Sequence, residues 1–131
     1  ERYTGGERHI RAEKLGKEFL IQLGEKDIQR QIHHYGIDIR DNRSFERIPD
    51  YTSERYIMEC KTGRDRNFER IWDQVWQDIS IKEQEGKDVI WYIREHPLWY
   101  YIKHPTYNSW KWQEVINVLE SHGVIIRYGG G

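Results

Sequence analysis

Apolar residues recur at helical spacing in the N-terminal part of the chain. Leu15, Phe19 and Leu23 lie four residues apart and would form a stripe along one face of a helix. Gly24 follows directly, and glycine commonly ends helices because it adopts the left-handed conformation without strain. The pattern therefore predicts a first helix over residues 7–23.

Shorter segments with strand composition follow. Alternating apolar positions predict a strand over 26–35, and a second strand over 45–50. The polar residues 51–54 predict a turn, after which residues 55–61 are rich in Tyr, Ile, Met and Cys. A Thr-Gly pair ends this third strand, so the middle of the chain is expected to contain three consecutive strands.

The second half of the chain begins with a strong helical pattern. Apolar residues at helical spacing predict a helix that ends at Glu85, and the run 87–94 is apolar enough for a central strand. A strand, a helix and a strand in this order imply a right-handed crossover and parallel pairing. Beyond it we expect an extended segment over 98–102, a helix over 110–121 and a last strand over 124–127.

Together these elements predict one α/β domain spanning residues 1–131. Its core, about 7–95, would have the order αβββαβ and a mixed central sheet flanked by helices, followed by an aromatic-rich extension over 96–131 that contains the last helix. A chain of 131 residues suffices for a single hydrophobic core.

The charge, the cysteine content and the apolar runs of the sequence limit the kinds of function that the protein can have. The formal charge is −1, with 21 basic and 22 acidic side chains, so a nucleic-acid-binding role would require local clustering of the basic residues. The single cysteine excludes an internal disulfide framework and a thiol-based zinc site. No run of apolar residues approaches the length of a membrane span.

The candidate chemistry lies around the third strand. On a strand, alternate side chains share a face, so Glu59 and Lys61 point to one side and Cys60 points into the opposite, apolar side. A chain reversal over 51–54 would return Asp50 towards Glu59. Two carboxylates and one ammonium group would then lie together.

This trio has a use in phosphoryl chemistry. Two carboxylates can hold a magnesium ion, which polarises a phosphodiester. A neighbouring lysine can orient or deprotonate the attacking water, or offset charge that builds up on phosphorus. The alternative is that Glu59 and Lys61 form a solvated pair on an exposed sheet face and that Asp50 is a turn residue.

The motifs Arg-Ile-Pro-Asp, ending at Asp50, and Met-Glu-Cys-Lys-Thr-Gly, around Glu59 and Lys61, are followed by a helix that carries Gln74 and ends near Gly86. This arrangement, over residues 18–95, resembles the PD-(D/E)XK superfamily of restriction-endonuclease-like nucleases. The resemblance implies a restriction-endonuclease-like fold in which Asp50, Glu59, Lys61 and Gln74 are catalytic. It implies a divalent cation, Mg²⁺ first and Mn²⁺ or Zn²⁺ as alternatives, held by Asp50, Glu59 and a glutamate of the first helix. Glu18 is the preferred glutamate and Glu13 is the other candidate; the alternative is that Glu18 is a surface acid on a charged helix.

The resemblance is greatest to toxin domains of bacterial polymorphic and contact-dependent inhibition toxins. It implies a monomeric endonuclease that cleaves DNA or tRNA. Such a domain is exported as part of a larger toxin, acts in the cytoplasm of a target cell and is neutralised by a cognate immunity protein. A housekeeping nuclease of the same fold is the alternative among enzymes. The alternative from another class is a non-catalytic binding module that uses the aromatic C-terminal third.

Two further groups of residues are candidates for binding. Arginines near the predicted site could receive backbone phosphates: Arg47, Arg64, Arg66 and Arg70. Aromatic residues of the C-terminal third could form a core, a partner surface or a base-stacking platform, and the core is the preferred interpretation: Tyr100, Tyr101, Tyr107, Trp110 and Trp112.

Overall fold

The structure, a computed structural model, describes residues 3–103 and 109–130, without the side chains of Tyr101 and Ser109. In chain order its elements are α1 (Gly5–Gln22), β1 (His34–Ile37), β2 (Ser44–Arg47), β3 (Tyr51–Thr52), β4 (Tyr56–Lys61), α2 (Phe68–Glu85), β5 (Asp88–Ile93), α3 (Pro97–Lys103), α4 (Ser109–Ser121) and β6 (Ile125–Tyr128).

A mixed four-stranded sheet forms the centre of the fold, in the order β3-β4-β5-β6. β3 is antiparallel to β4, whereas β4, β5 and β6 are parallel to one another. The predicted parallel pairing of the strands on either side of α2 is therefore confirmed, as is the α/β class with a mixed sheet and flanking helices. β1 and β2 form a separate antiparallel hairpin. The side-chain amide of Gln84 joins it to α2, because its oxygen accepts a hydrogen bond from the Ile37 N–H and its nitrogen donates one to the Ile37 carbonyl.

The two faces of the sheet bury different layers. Met58, Cys60 and Ile90 pack under α1 on one face. Ile57 and Trp91 pack under α2 and α4 on the other face. This division follows from the two-residue period of β4 and β5, which sends neighbouring side chains to opposite sides. Cys60 is fully buried, which confirms its assignment to the core.

The predicted strands before β4 are only partly correct. Gln29 makes an isolated bridge to Thr52, and a regular strand begins only at His34. Gln31 has a φ of 58°, which a strand cannot accommodate, and this explains the break. The next strand ends at Arg47 rather than Asp50, because Pro49 has no N–H group to continue a ladder. Residues 51 and 52, predicted as a turn, pair with β4 as β3.

The prediction of an extended segment over 98–102 is wrong. These residues belong to α3, which begins at Pro97. Proline is favoured at the first position of a helix, because its φ is already helical and its missing N–H would have had no partner there. Of the described residues, no helix is both long and apolar enough to cross a membrane.

The aromatic C-terminal third divides between core and surface. Trp112 is fully buried and Tyr100 packs against the same core, whereas Trp99 and Trp110 are 50% and 56% exposed. Tyr107 and the side chain of Tyr101 lie outside the described residues. The preference for a core role is therefore correct for Trp112 and Tyr100, and wrong for Trp110.

Gly16 controls how closely α1 approaches the sheet. A Cβ atom at this position would lie 2.6 Å from Cys60 Sγ and 3.0 Å from Met58 Sδ. We expect Gly16→Ala to lower the free energy of unfolding by about 1–3 kcal/mol, because overpacking outweighs the better helix propensity of alanine. Urea unfolding measures this loss. Gly6→Ala is the matched control, since nothing lies within 4 Å of its Cβ position. Equal stability of the two variants would contradict the packing argument.

Candidate active site

The register of β3 and β4 brings Asp50 and Glu59 together. Tyr51 lies opposite Met58, so Asp50, one residue earlier, lies opposite Glu59. The Cys60 N–H donates a hydrogen bond to Asp50 Oδ2 over 2.7 Å, which fixes the aspartate against β4. The two carboxyl groups also share a hydrogen bond. These are the two acids that the sequence motifs single out.

Lys61 and Gln74 complete the predicted set. Lys61 Nζ lies 3.1 Å from Glu59 Oε2 and donates a hydrogen bond of 2.5 Å to Gln74 Oε1. Gln74 reaches it from α2, and both side chains are buried. The Lys61 ammonium group also lies 5.5 Å from the centre of the Trp91 ring. The ammonium group is thus held by a carboxylate, an amide and an indole ring.

The acid that α1 brings to this cluster is Glu13, whereas Glu18 was preferred from the sequence. Ligand atoms of His9, Glu13 and Asp50 lie within 4.8 Å of one another. Glu18 is five residues further along α1, which rotates its side chain about 140° around the helix. It is exposed and lines a different cavity, with Phe19, Tyr92 and Arg127 among the other lining residues.

Arg47 does not serve as a surface group for phosphates, which corrects its sequence assignment. Its guanidinium is buried between the sheet and α2, where Nε lies 2.9 Å from Asp78 Oδ1 and Nη2 lies 3.1 Å from Glu59 Oε1. The indole N–H of Trp91 donates to the other oxygen of Asp78 over 2.8 Å. Asp78 therefore orients Arg47, and Arg47 holds one oxygen of Glu59.

Asp78 was missed in the sequence, although a signal for it exists. It occupies the same stripe of α2 as Ile71 and Val75, which pack against the sheet. A carboxylate in the middle of an apolar stripe is costly to bury without a partner. Its position alone therefore indicates a buried cation opposite α2.

The surroundings of the site shift the pKa values of Asp50 and Glu59 in opposite directions. Burial raises the pKa of Asp50, the negative charge of Glu59 raises it further, and the result is a pKa of about 8. Burial would also raise the pKa of Glu59, but the charges of Arg47 and Lys61 outweigh it and lower that pKa to about 2. Among the described residues no cation pairs with Asp50, so near neutral pH its carboxyl group keeps the proton that the hydrogen bond to Glu59 requires.

The other predicted arginines differ in their surroundings. Arg64 Nε lies 2.7 Å from Glu95 Oε2, and its guanidinium lies over the ring of Tyr100. Arg66 and Arg70 are exposed around the start of α2, Arg70 one helical turn before Gln74. On exposure alone, Arg66 and Arg70 are the better placed to meet a phosphate backbone.

The donor set fits a divalent cation. Ligand atoms of Glu13 and Asp50 lie within 4.8 Å of each other, Glu59 lies beside Asp50, and oxygen is the donor that Mg²⁺ and Mn²⁺ accept. A cation beside Asp50 would also favour the ionised form of this carboxyl group, which burial and the charge of Glu59 otherwise disfavour. The residues present are therefore compatible with the cofactor implied by the resemblance.

Comparison of the chain with protein-family models, with curated proteins and with solved structures finds no match.

Proposed function

We propose that the protein is a divalent-metal-dependent nuclease that hydrolyses phosphodiester bonds of DNA or RNA. One observation carries the proposal: Lys61 Nζ lies between Glu59 and Gln74, directly beside the carboxyl pair of Asp50 and Glu59. A buried lysine held in this way is costly unless its charge is used. Hydrolysis of a phosphodiester uses both parts of this arrangement, the acids and the ammonium group.

Each side chain has a distinct role in the proposed reaction. Asp50 and Glu59 would hold the cation with help from Glu13, and the cation supplies Lewis-acid chemistry to the phosphate. Lys61 would orient the attacking water or offset the charge that develops on phosphorus. Gln74 keeps the ammonium group in place, and Arg47 keeps Glu59 in place. The last two are positioning residues.

Within the α/β class, we assign the fold of this domain to the restriction-endonuclease-like core of the PD-(D/E)XK superfamily. Between α1 and α2 the chain has four strands where the αβββαβ pattern has three, and only β3 and β4 of them belong to the central sheet, so this assignment rests on the sequence resemblance. The roles of toxin domain, of delivery into a target cell and of neutralisation by an immunity protein belong to the same proposal. They rest on the sequence resemblance alone.

A binding module is the second candidate function. The observation that favours it is the exposure of Trp99 and Trp110, because large aromatic side chains on a surface commonly mark a binding site. Lys103 Nζ lies 4.0 Å from the centre of the Trp99 ring, so this surface also carries positive charge.

The deciding experiment is incubation with plasmid DNA and with total RNA, with and without Mg²⁺ or Mn²⁺. We expect cleavage of at least one substrate only when metal is present. Asp50→Asn serves as the inactive control, and Ca²⁺ as a cation expected to bind with little cleavage. Binding of nucleic acid without metal-dependent cleavage would instead favour the binding module.

A further inference from the structure

His9 joins the acids of the candidate site from the first half of α1. It lies four residues before Glu13, so both side chains project from one face of the helix. His9 Nε2 lies 2.8 Å from Glu13 Oε1, and together with a carboxylate oxygen of Asp50 these atoms form a group within 4.8 Å. A histidine and an acid one turn apart on a helix can present two ligands to the same ion.

The distances suit a shared cation. Neighbouring ligands of an octahedral ion with bonds of 2.0–2.1 Å are separated by about 3 Å. His9 and Glu13 are already at this separation, and Asp50 closes the triangle from the edge of the sheet. The distances from Asp50 to the other two donors are at most 4.8 Å, so side-chain rotation has to shorten them before all three donors reach one ion.

The carboxylate oxygen of Glu13 that faces His9, Oε1, is not the one that pairs with Arg30. Arg30 Nη2 lies 2.6 Å from Oε2, the oxygen other than the one facing His9. The Tyr51 hydroxyl donates to the backbone oxygen of Glu13 over 3.0 Å, which ties α1 to the strand that follows Asp50. The start of α1 is itself defined by a capping box between Thr4 and Glu7.

We propose that His9 is a ligand of the cation held by Glu13 and Asp50, and that it makes the site prefer Mn²⁺ to Mg²⁺. This inference rests on the metal site of the proposed function. Mg²⁺ strongly favours oxygen donors, whereas an imidazole nitrogen suits first-row transition metals better. Asp50 and the glutamates alone would supply only oxygen donors. His9 adds a nitrogen donor to the site.

The opposing interpretation is that His9 merely pairs with Glu13 on the surface, and the chain contains a matched example of such a pair. His33 Nδ1 lies 3.1 Å from Glu46 Oε1, and the His33 side chain is 48% exposed, as is that of His9. Among the described residues, His33 and Glu46 belong to no three-ligand group. His33→Ala therefore controls for the loss of an exposed histidine-glutamate pair.

The test is the affinity for Mg²⁺ and Mn²⁺, measured by calorimetry and by electron paramagnetic resonance of Mn²⁺. We expect the unmodified protein to bind Mn²⁺ at least about tenfold more tightly than Mg²⁺. His9→Ala should weaken Mn²⁺ binding by about tenfold or more while changing Mg²⁺ binding little. His33→Ala should leave both affinities unchanged. An unchanged ratio of the two affinities in His9→Ala would overturn the inference.

A second measurement needs no variant. Bound Mn²⁺ should broaden the ring signals of His9 in nuclear magnetic resonance spectra at lower metal concentrations than those of His33. Equal broadening of the two rings would also overturn the inference, even if His9→Ala failed to fold.

Failure of the inference can be told apart from failure of the proposed function. Metal binding that Asp50→Asn abolishes but His9→Ala leaves unchanged, with cleavage intact, refutes only the role of His9. Preferential Mn²⁺ binding through His9 without any cleavage supports the inference and refutes the nuclease.

Discussion

Replacing Lys61 with methionine should abolish cleavage while metal binding stays intact or becomes tighter. The substitution keeps an extended apolar stem against Trp91 but removes the ammonium group between Glu59 and Gln74. If that group stabilises charge on the phosphate, its loss should lower turnover by about 10²–10³-fold or more. Metal binding should not suffer, because a positive charge beside the carboxylates has been removed.

Raising the metal concentration should not restore the activity of Lys61→Met, in contrast to variants of the acids. Lys87→Met is the matched control, because Lys87 is also partly buried and donates to a backbone oxygen, that of Ser53, near the opposite end of the sheet. It should cleave normally. Normal cleavage by Lys61→Met together with loss of activity in Asp50→Asn would show that the role given to the lysine is wrong, although a metal site could stand.

Replacing Asp50 with asparagine should reduce turnover by orders of magnitude and yet stabilise the metal-free protein. Asparagine keeps the shape and the acceptor for the Cys60 N–H, but it lacks the charge that a hard cation needs. Ionisation of Asp50 is unfavourable in the fold without a cation, because the side chain is partly buried and lies beside Glu59. Sites that hold like charges together commonly trade stability for function.

The sign of the pH dependence follows from the pKa of Asp50. That pKa is about 8 in the folded protein and about 3.9 in the unfolded chain. Between these values the folded state binds one more proton than the unfolded state, so stability should fall as the pH rises. Asp50→Asn should remove this fall, and its advantage in melting temperature should be largest near pH 8.

Melting temperatures across this pH range, with and without Mn²⁺, measure both effects. Metal should raise the melting temperature of the unmodified protein more than that of Asp50→Asn, since ligands stabilise the state that binds them. Asp88→Asn, at an exposed carboxylate at the start of β5, is the control and should follow the unmodified protein. If Asp50→Asn is less stable than the unmodified protein at pH 8, the charge argument fails.

Part of the site could be predicted because strand and helix periods determine it. The two-residue period of β4 places Glu59 and Lys61 on one face, whatever the exact bounds of the strand. The helical stripe of α2 faces the sheet, and Gln74 lies within the buried face of that helix. Asp50 was expected opposite Glu59 through a turn over 51–54. The pairing arises instead from the short strand β3.

Other parts depended on tertiary contacts that local sequence does not determine. The choice between Glu13 and Glu18 is set by how α1 rotates about its axis, and this rotation depends on the close fit of Gly16 against β4. Arg47 has the same side chain as the exposed Arg66, but the buried carboxylates of Asp78 and Glu59, on elements distant in sequence, draw it inwards. Such pairs join residues far apart in sequence, beyond the reach of periodicity.

The thiol of Cys60 lies at the interface between α1 and β4, where its reaction with a labelling reagent can report opening of that interface. Cys60 is the single cysteine of the chain, it is fully buried, and burial raises its pKa well above the usual value. A thiol reagent can reach it when α1 lifts from the sheet or when the whole domain unfolds, and either event separates His9 and Glu13 from Asp50. The labelling rate of the unmodified protein therefore reports how often the candidate site comes apart. A cation that bridges α1 and Asp50 must slow this rate in proportion to its occupancy.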